Sequence, residues 1–196
     1  MYSKDDKNWI SSFKFMKEHP EKNTFSLDWY KTHYLTLELE KQDIFLNNYK
    51  VLDLGCGLGS RSFILSEKYT CDFHGLDSSN IAIEYAKTNF QKENLKFYHG
   101  DALNTNFSQY CFNTIFMIEV VEHIQNLDKL KYELLRILKP NGYLFITVPD
   151  GSEHGDPDHV HKFKSNNIES IFKNIVEIKK LYVKNGNIFM LGIKNE

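Results

Sequence analysis

Proline and glycine are scarce, with 4 and 10 residues in a chain of 196, and cysteine is scarcer at 3. So few turn-formers exclude collagen-like and low-complexity classes. Cys56, Cys71 and Cys111 contain no CxxC pair. That excludes a disulfide framework and predicts reduced thiols in a cytoplasmic protein. Charge of one sign is not in excess: Lys plus Arg number 24, Asp plus Glu 26, for a net charge of −2. No general basic field exists to draw nucleic acid or an anionic membrane. Long apolar runs are missing as well. The longest, such as Tyr143–Val148, are strand-length and far short of the ~20 residues that span a bilayer. The opening MYSKDDKNWI has no apolar segment of the secretory kind. No internal repeat and no Gly-, Pro- or Ser-rich linker is visible.

What is present is a globular pattern. Hydrophobic residues make up 41% of the chain. At this size about 70% of the unfolded surface is buried, enough for a core without staples. A helical segment is expected from Asp28 to Leu46, with Ser26 as its N-cap, after an amphipathic stretch from Trp9 to Met16. From Val51 onward short apolar runs alternate with helical ones. Runs at Val51–Leu54, Phe73–Leu76, Leu95–Tyr98, Thr114–Ile118 and Tyr143–Val148 read as strands. Segments near Ser60–Lys68, Asn80–Phe90, Leu127–Leu138 and Ile168–Phe172 read as helices, the third stopping at Lys139-Pro140-Asn141-Gly142. Val176–Val183 and Ile188–Ile193 flank an Asn-Gly hairpin signal. Such alternation predicts an α/β fold: a doubly wound, mostly parallel sheet with helices on both faces and a closing antiparallel element. Residues 1–48 are expected to form a helical lid and 49–196 one compact domain.

Ligands of such sheets bind beyond the carboxyl ends of the strands, which selects the loops worth reading. The first is Asp53-Leu54-Gly55-Cys56-Gly57-Leu58-Gly59-Ser60. Its spacing is G-x-G-x-G. The dinucleotide fingerprint needs a glycine where Ser60 stands. The second is Gly75-Leu76-Asp77-Ser78-Ser79. Asp77 there could accept both hydroxyls of a ribose, or Asp77 or Ser78 could cap the next helix. The third is Gly100-Asp101-Ala102, whose carboxylate could accept from an adenine amine or stand in a solvated turn.

Together these loops resemble the class I S-adenosylmethionine-dependent methyltransferases, from about Val51 to the final hairpin. Val51–Gly59 is similar to that family's first motif, and Leu138-Lys139-Pro140-Asn141-Gly142-Tyr143-Leu144 to its turn into the fifth strand. The resemblance implies a Rossmann-like sheet of seven strands with only the last antiparallel. It implies S-adenosyl-L-methionine as cofactor and S-adenosyl-L-homocysteine as product. By the same resemblance Asp53 belongs to the cofactor-binding set, Gly55, Cys56 and Gly57 lie against the methionine part, Asp77 and Ser78 at the ribose, Asp101 and Ala102 at adenine, and Glu119 on the floor near the sulfonium and adenine.

Ile118-Glu119-Val120-Val121-Glu122-His123 resembles the E-x-x-E-H segment of the ubiquinone-biosynthesis O-methyltransferases. The same pattern occurs in metal-dependent small-RNA 3′-terminal 2′-O-methyltransferases, where a later His completes the set. Glu119, Glu122 and His123 could share a face if a helical turn starts here. His161-Lys162-Phe163 is similar to the element supplying the later His, but the Glu-Trp that follows it there is Lys164-Ser165 here. The stretch Asp150–Phe163 holds three histidines in eight residues. An alcohol acceptor requires a base or a metal, so His123, His159 and His161 are the candidate catalytic residues. No metal is expected, since E-x-x-E-H alone is not a specific ligand set. The expected function is methyl transfer to oxygen or nitrogen of a small molecule, with no membrane or nucleic-acid partner. The alternatives are the metal-dependent RNA enzyme and a non-catalytic S-adenosylmethionine-binding module. Trp29, Tyr30, His33 and Tyr34 precede the sheet and either shape an acceptor pocket or simply pack on it.

Overall fold

The computed structural model of the chain describes residues 7, 11, 14, 31, 33–151 and 159–196. In chain order the elements are α1 (Tyr34–Glu40), β1 (Lys50–Leu54), α2 (Ser60–Lys68), β2 (Asp72–Asp77), α3 (Asn80–Asn89), β3 (Leu95–His99) and β4 (Phe112–Ile118). One turn of 3-10 helix (Val121–His123) leads to α4 (Leu127–Ile137), β5 (Leu138–Pro149), α5 (Ser165–Phe172), β6 (Glu177–Lys184) and β7 (Asn187–Ile193). The seven strands form one sheet in the order β3-β2-β1-β4-β5-β7-β6. β1 to β5 pair in parallel, and β7 runs antiparallel to both β5 and β6. The expected Rossmann-like architecture is present, and the last strand alone is reversed.

Side chains alternate across the strands and build a core on each face of the sheet. Ile115 and Met117 of β4 join Leu144, Ile146 and Val148 of β5 and Leu130, Leu134 and Ile137 of α4 on one face. Phe116, Ile118 and Phe145 join Leu35 and Leu39 of α1, Leu65 of α2 and Ile83 of α3 on the other. Apolar packing thus covers both faces of the sheet, and the ligand edge is sought at the ends of its strands.

Two expectations are corrected. The helix over Asp28–Leu46 is not continuous: His33 is extended (φ −65°, ψ 132°) and α1 runs only from Tyr34 to Glu40. Asp43 has φ 54°, and Ile44 and Phe45 beyond it enter the core from outside any helix. Their apolar spacing imitates a helical stripe. Ser26, Trp29, Tyr30 and most of the Trp9–Met16 stretch lie outside the described residues. Finally, Lys139–Gly142 is not a turn before β5 but a bulge inside it. Leu138 pairs with Phe112 and Tyr143 with Thr114, so four residues face Asn113 alone. Asn113 Oδ1 accepts from Lys139 Nζ at 3.0 Å and Lys50 N–H at 3.1 Å. The β6–β7 hairpin closes through Asn185 (φ 51°) and Gly186 (φ 75°), the paired left-handed geometry of a type I′ turn.

A buried carboxylate fastens α1 to the far edge of the sheet. Glu38, 6% exposed, accepts from Lys184 Nζ at 2.7 Å, Lys41 Nζ at 2.7 Å and Tyr182 Oη at 2.9 Å. Burial opposes its ionisation, but these three donors outweigh burial and hold its pKa down to about 2, from 4.5. A carboxyl lowered on folding stabilises the fold above its unfolded value and loses that contribution as pH falls through its folded one. Glu38→Gln is expected to cost roughly 1–3 kcal/mol at neutral pH. Urea unfolding from pH 7 down to pH 2 should show wild-type stability falling between about 4.5 and about 2, with this part of the fall missing in the variant.

Candidate functional site

The carboxyl ends of β3, β2, β1 and β4 lie side by side, and the loops expected to matter leave from them. Asp77, at the end of β2, joins three of these loops. Its Oδ2 accepts the Gly57 N–H at 2.8 Å and its Oδ1 the Ser79 N–H at 2.9 Å. Its backbone oxygen accepts the Gly100 N–H at 2.9 Å. The glycine loop is held from below as well, Gly55 N–H donating to Leu76 O at 2.7 Å and Cys56 N–H to the same oxygen at 3.1 Å. Gly55 has φ 87°, and a Cβ there would stand 2.4 Å from Val120 Cγ2. This position therefore needs glycine for both its backbone angle and its space. Neither Asp77 nor Ser78 caps α3; Ser79 does, its Oγ accepting from Ala82 N–H.

Asp53 ends β1 beneath this loop and is 1% exposed. Its Oδ2 accepts the Ser62 hydroxyl at 2.6 Å, while Oδ1 finds no hydrogen-bond partner among the described residues. Burial pushes its pKa up to about 6, and the pull of Arg61 and Ser62 only partly offsets that. The Cys56 thiol is pushed well above its ordinary value, first by burial and then by Asp53 and Asp77. It packs as a neutral group and is no nucleophile. Arg61 donates through Nε to Thr36 Oγ1 at 3.3 Å, joining α2 to α1. Burial and then Arg61 lower His33 to about 4, so that imidazole is neutral at pH 7. Asp101 is exposed and accepts the Leu103 N–H at 2.8 Å, and Ala102 packs against the core.

Glu119 directly follows β4 with φ 58°, a strained angle for a side-chain-bearing residue. Its Oε1 accepts from Asn187 Nδ2 at 2.6 Å and Thr147 Oγ1 at 3.2 Å. The Asn187 Oδ1 accepts the Tyr34 hydroxyl. The sequence points to Glu119 and Tyr34 but not to the Asn187 and Thr147 that hold Glu119. Asn187 reads as the flank of an Asn-Gly turn, and its one signal is a polar residue opening an otherwise apolar strand. Because the helical turn begins only at Val121, Glu119 does not share a face with Glu122 and His123. The expected i, i+3, i+4 alignment is not formed.

The histidines gather farther along the same edge. Glu122, 1% exposed, accepts through its backbone oxygen the N–H groups of Val160 (2.9 Å) and His161 (3.2 Å). These bonds bring the segment after residue 158 onto the 3-10 turn; Ser152 to Asp158, including His154, lie outside the described residues. The His123 and His159 rings meet edge to face at 4.9 Å. His161 Nε2 lies 3.0 Å from Ile124 O. A carbonyl only accepts, so that bond assigns the proton to Nε2 and leaves Nδ1 as the basic nitrogen. Glu122, His123 and His159 offer ligand atoms within 4.8 Å of one another. Two ligands ~2.1 Å from one ion span at most about 4.2 Å. The set Glu119, Glu122, His123 and His161 is not brought together, since Glu119 turns toward Asn187 and His161 toward Ile124.

Three kinds of comparison bear on this edge. A family model described as a methyltransferase domain matches residues 46–189. Sterol 24-C-methyltransferases are similar: that of Kluyveromyces lactis is 25% identical over 77% of this chain and 42% of its own length. That of Saccharomyces cerevisiae is 26% identical over 77% and 40%. The chain thus spans about two fifths of these relatives. Neither relative is an O-methyltransferase of ubiquinone biosynthesis, the type that E-x-x-E-H resembles. Among solved structures, a chain from the complex of the Haloferax volcanii Trm112 methyltransferase activator with a methyltransferase superposes with TM-score 0.78 at 14% identity, covering 100% of both chains. The [4+2]-cyclase SpnF gives 0.74 at 15% identity, covering 83% of this chain and 80% of its own. Identities this low establish the fold alone, and one fold hosts several chemistries.

A buried acid raised on folding favours its protonated form, so its cost to stability appears as pH rises through its folded value. Asp53→Asn is therefore expected to stabilise the ligand-free protein by about 1–3 kcal/mol above the folded value of about 6, and by nothing near pH 3. Thermal unfolding of both proteins at pH 8 and near pH 3 checks the sign.

Proposed function

We propose, from the premise that the chain belongs to the methyltransferase-domain family and has the class I S-adenosylmethionine-dependent fold, that it is an enzyme methylating an oxygen or nitrogen of a small polar acceptor. The residues present fit that cofactor. The Asp53 carboxylate keeps one buried oxygen without a hydrogen-bond partner among the described residues, suited to an N–H donor at the methionine end. Gly55, Cys56 and Gly57 supply the close backbone approach there. Asp77, oriented by its two N–H bonds, would take the ribose hydroxyls with Ser78 beside it. Asp101 and Ala102 would border adenine, and Glu119 the floor. When bound, S-adenosylmethionine supplies a methyl group on a sulfonium whose leaving thioether is neutral.

The chain's own task is then alignment of the acceptor and removal of its proton. The observation that carries the polar-acceptor reading is the meeting of His123 and His159 beside buried Glu122, with His161 tethered to the same turn through its backbone N–H. Imidazoles titrate near neutrality and suit proton transfer from a hydroxyl or ammonium. His161 would act through Nδ1, and His123 and His159 through either nitrogen. The named relatives are C-methyltransferases of sterols. A rim where two imidazoles meet a carboxylate suits a polar oxygen or nitrogen nucleophile better than an apolar ring system. Among the described residues no helix is long and apolar enough to cross a membrane.

A screen of hydroxyl, carboxyl and amine acceptors with labelled S-adenosylmethionine tests this reading; transfer only to an alkene carbon overturns it. With an acceptor in hand, His159→Ala or His161→Ala is expected to lower turnover by about 10²–10⁴-fold and leave S-adenosylhomocysteine affinity unchanged. Asp77→Ala should instead weaken that affinity by roughly 1.5–3 kcal/mol in calorimetry. Turnover should survive dialysis against EDTA; a loss restored by Mg²⁺, Mn²⁺ or Co²⁺ would transfer the histidines' role from base to ligand.

A further inference from the structure

The strained left-handed residue after β4 sends its carboxylate to a partner supplied by the last strand. Asn187 is 4% exposed and opens β7, paired with Pro149 of β5 and Lys184 of β6. Its amide is used at both ends. Nδ2 donates to Glu119 Oε1, and Oδ1 accepts from the hydroxyl of Tyr34, the first residue of α1. Only this orientation of the amide satisfies both neighbours: a carboxylate cannot donate, so nitrogen must face Glu119 and oxygen the phenol. Thr147 of β5 adds a second donor to Glu119. Burial and then the Glu119 charge raise the Tyr34 pKa, so the phenol keeps the proton that it gives to Asn187.

We propose that Asn187 is a positioning residue: it fixes the Glu119 carboxylate at the cofactor floor and, through Tyr34, links that floor to α1. The proposal rests on the placement of Glu119 against the cofactor given above. Two consequences follow from the hydrogen-bond directions. Removing the amide takes from the carboxylate the shorter of these two hydrogen bonds, 2.6 Å against 3.2 Å from Thr147, on a residue whose backbone is strained. And Tyr34, its proton committed to Asn187, meets any ligand beside it only as a hydrogen-bond acceptor, so it favours N–H, O–H or cationic groups at the α1 side of the site.

The test is a set of double-mutant cycles on S-adenosylhomocysteine affinity in the full chain, with thermal unfolding as the control for folding. Asn187→Ala is expected to weaken binding about tenfold and Tyr34→Phe about threefold, with both effects shrinking below about twofold in a Glu119→Ala background. Equal losses with and without Glu119 overturn the proposal, because they mark a purely structural hairpin residue. So does an unchanged affinity in Asn187→Ala when Glu119→Ala itself weakens binding. If Glu119→Ala has no effect, the placement of Glu119 is wrong and the relay fails with it, which separates that failure from the other two. Tyr34→Phe removes a single oxygen from a half-buried ring, so the coupling can still be read if Asn187→Ala unfolds the protein.

Discussion

Everything at the functional edge depends on where the Asp77 carboxylate points. Parallel strands deliver their loops to one edge, but loops that merely start together do not form a site. Asp77 joins them: its two carboxylate oxygens hold the glycine loop and the start of α3, and its backbone oxygen holds the loop after β3. Hydrogen bonds from backbone N–H to an ionised acceptor are stronger than neutral ones. The arrangement therefore fixes a carboxylate and three loops at once, before any ligand arrives. The close contact of Gly55 with Val120 brings the fourth loop, after β4, against the same cluster.

Much of this was legible because it follows local rules. The alternation of apolar residues located every strand from Val51 onward, and the spacing of Gly55, Gly57 and Asp77 located the edge. The Asn-Gly pair announced the β6–β7 turn. What could not be read depends on contacts distant in sequence or on ambiguity of period. Ile44 and Phe45 fit a helical stripe yet are buried outside any helix. Lys139–Gly142 carries turn residues but is accommodated as a bulge opposite Asn113. Glu119 looked aligned with Glu122 and His123, and a left-handed backbone at that one residue sends it elsewhere. Of the three candidate histidines, only the structure distinguishes His161, tied to a carbonyl, from His123 and His159, which meet ring to ring.

The buried acids divide by purpose. Glu38 has three donors and is held in its charged form, so it strengthens the fold. Asp53 has one hydroxyl donor and, among the described residues, an oxygen without a hydrogen bond, and burial raises its pKa against the pull of Arg61. A folded protein tolerates such a group only where something else depends on it. Strain of the same kind sits at Glu119. Both lie at the carboxyl ends of adjacent central strands, β1 and β4, while the well-satisfied Glu38 lies at the sheet margin by β6.

The route of the chain gives these contacts a chronology. Tyr34 and Asn187 are 153 residues apart, and Glu38 and Lys184 are 146 apart. On a ribosome adding about 5–20 residues per second, α1 waits roughly 8–30 s for the hairpin that receives it. The glycine loop, β2 and the loop after β3 are all synthesised within that interval. A nascent chain thus carries every part of the Asp77 cluster while Leu35 and Leu39 still lack part of their cover. The growing domain can assemble its ligand edge early, but α1 is secured only when β7 emerges.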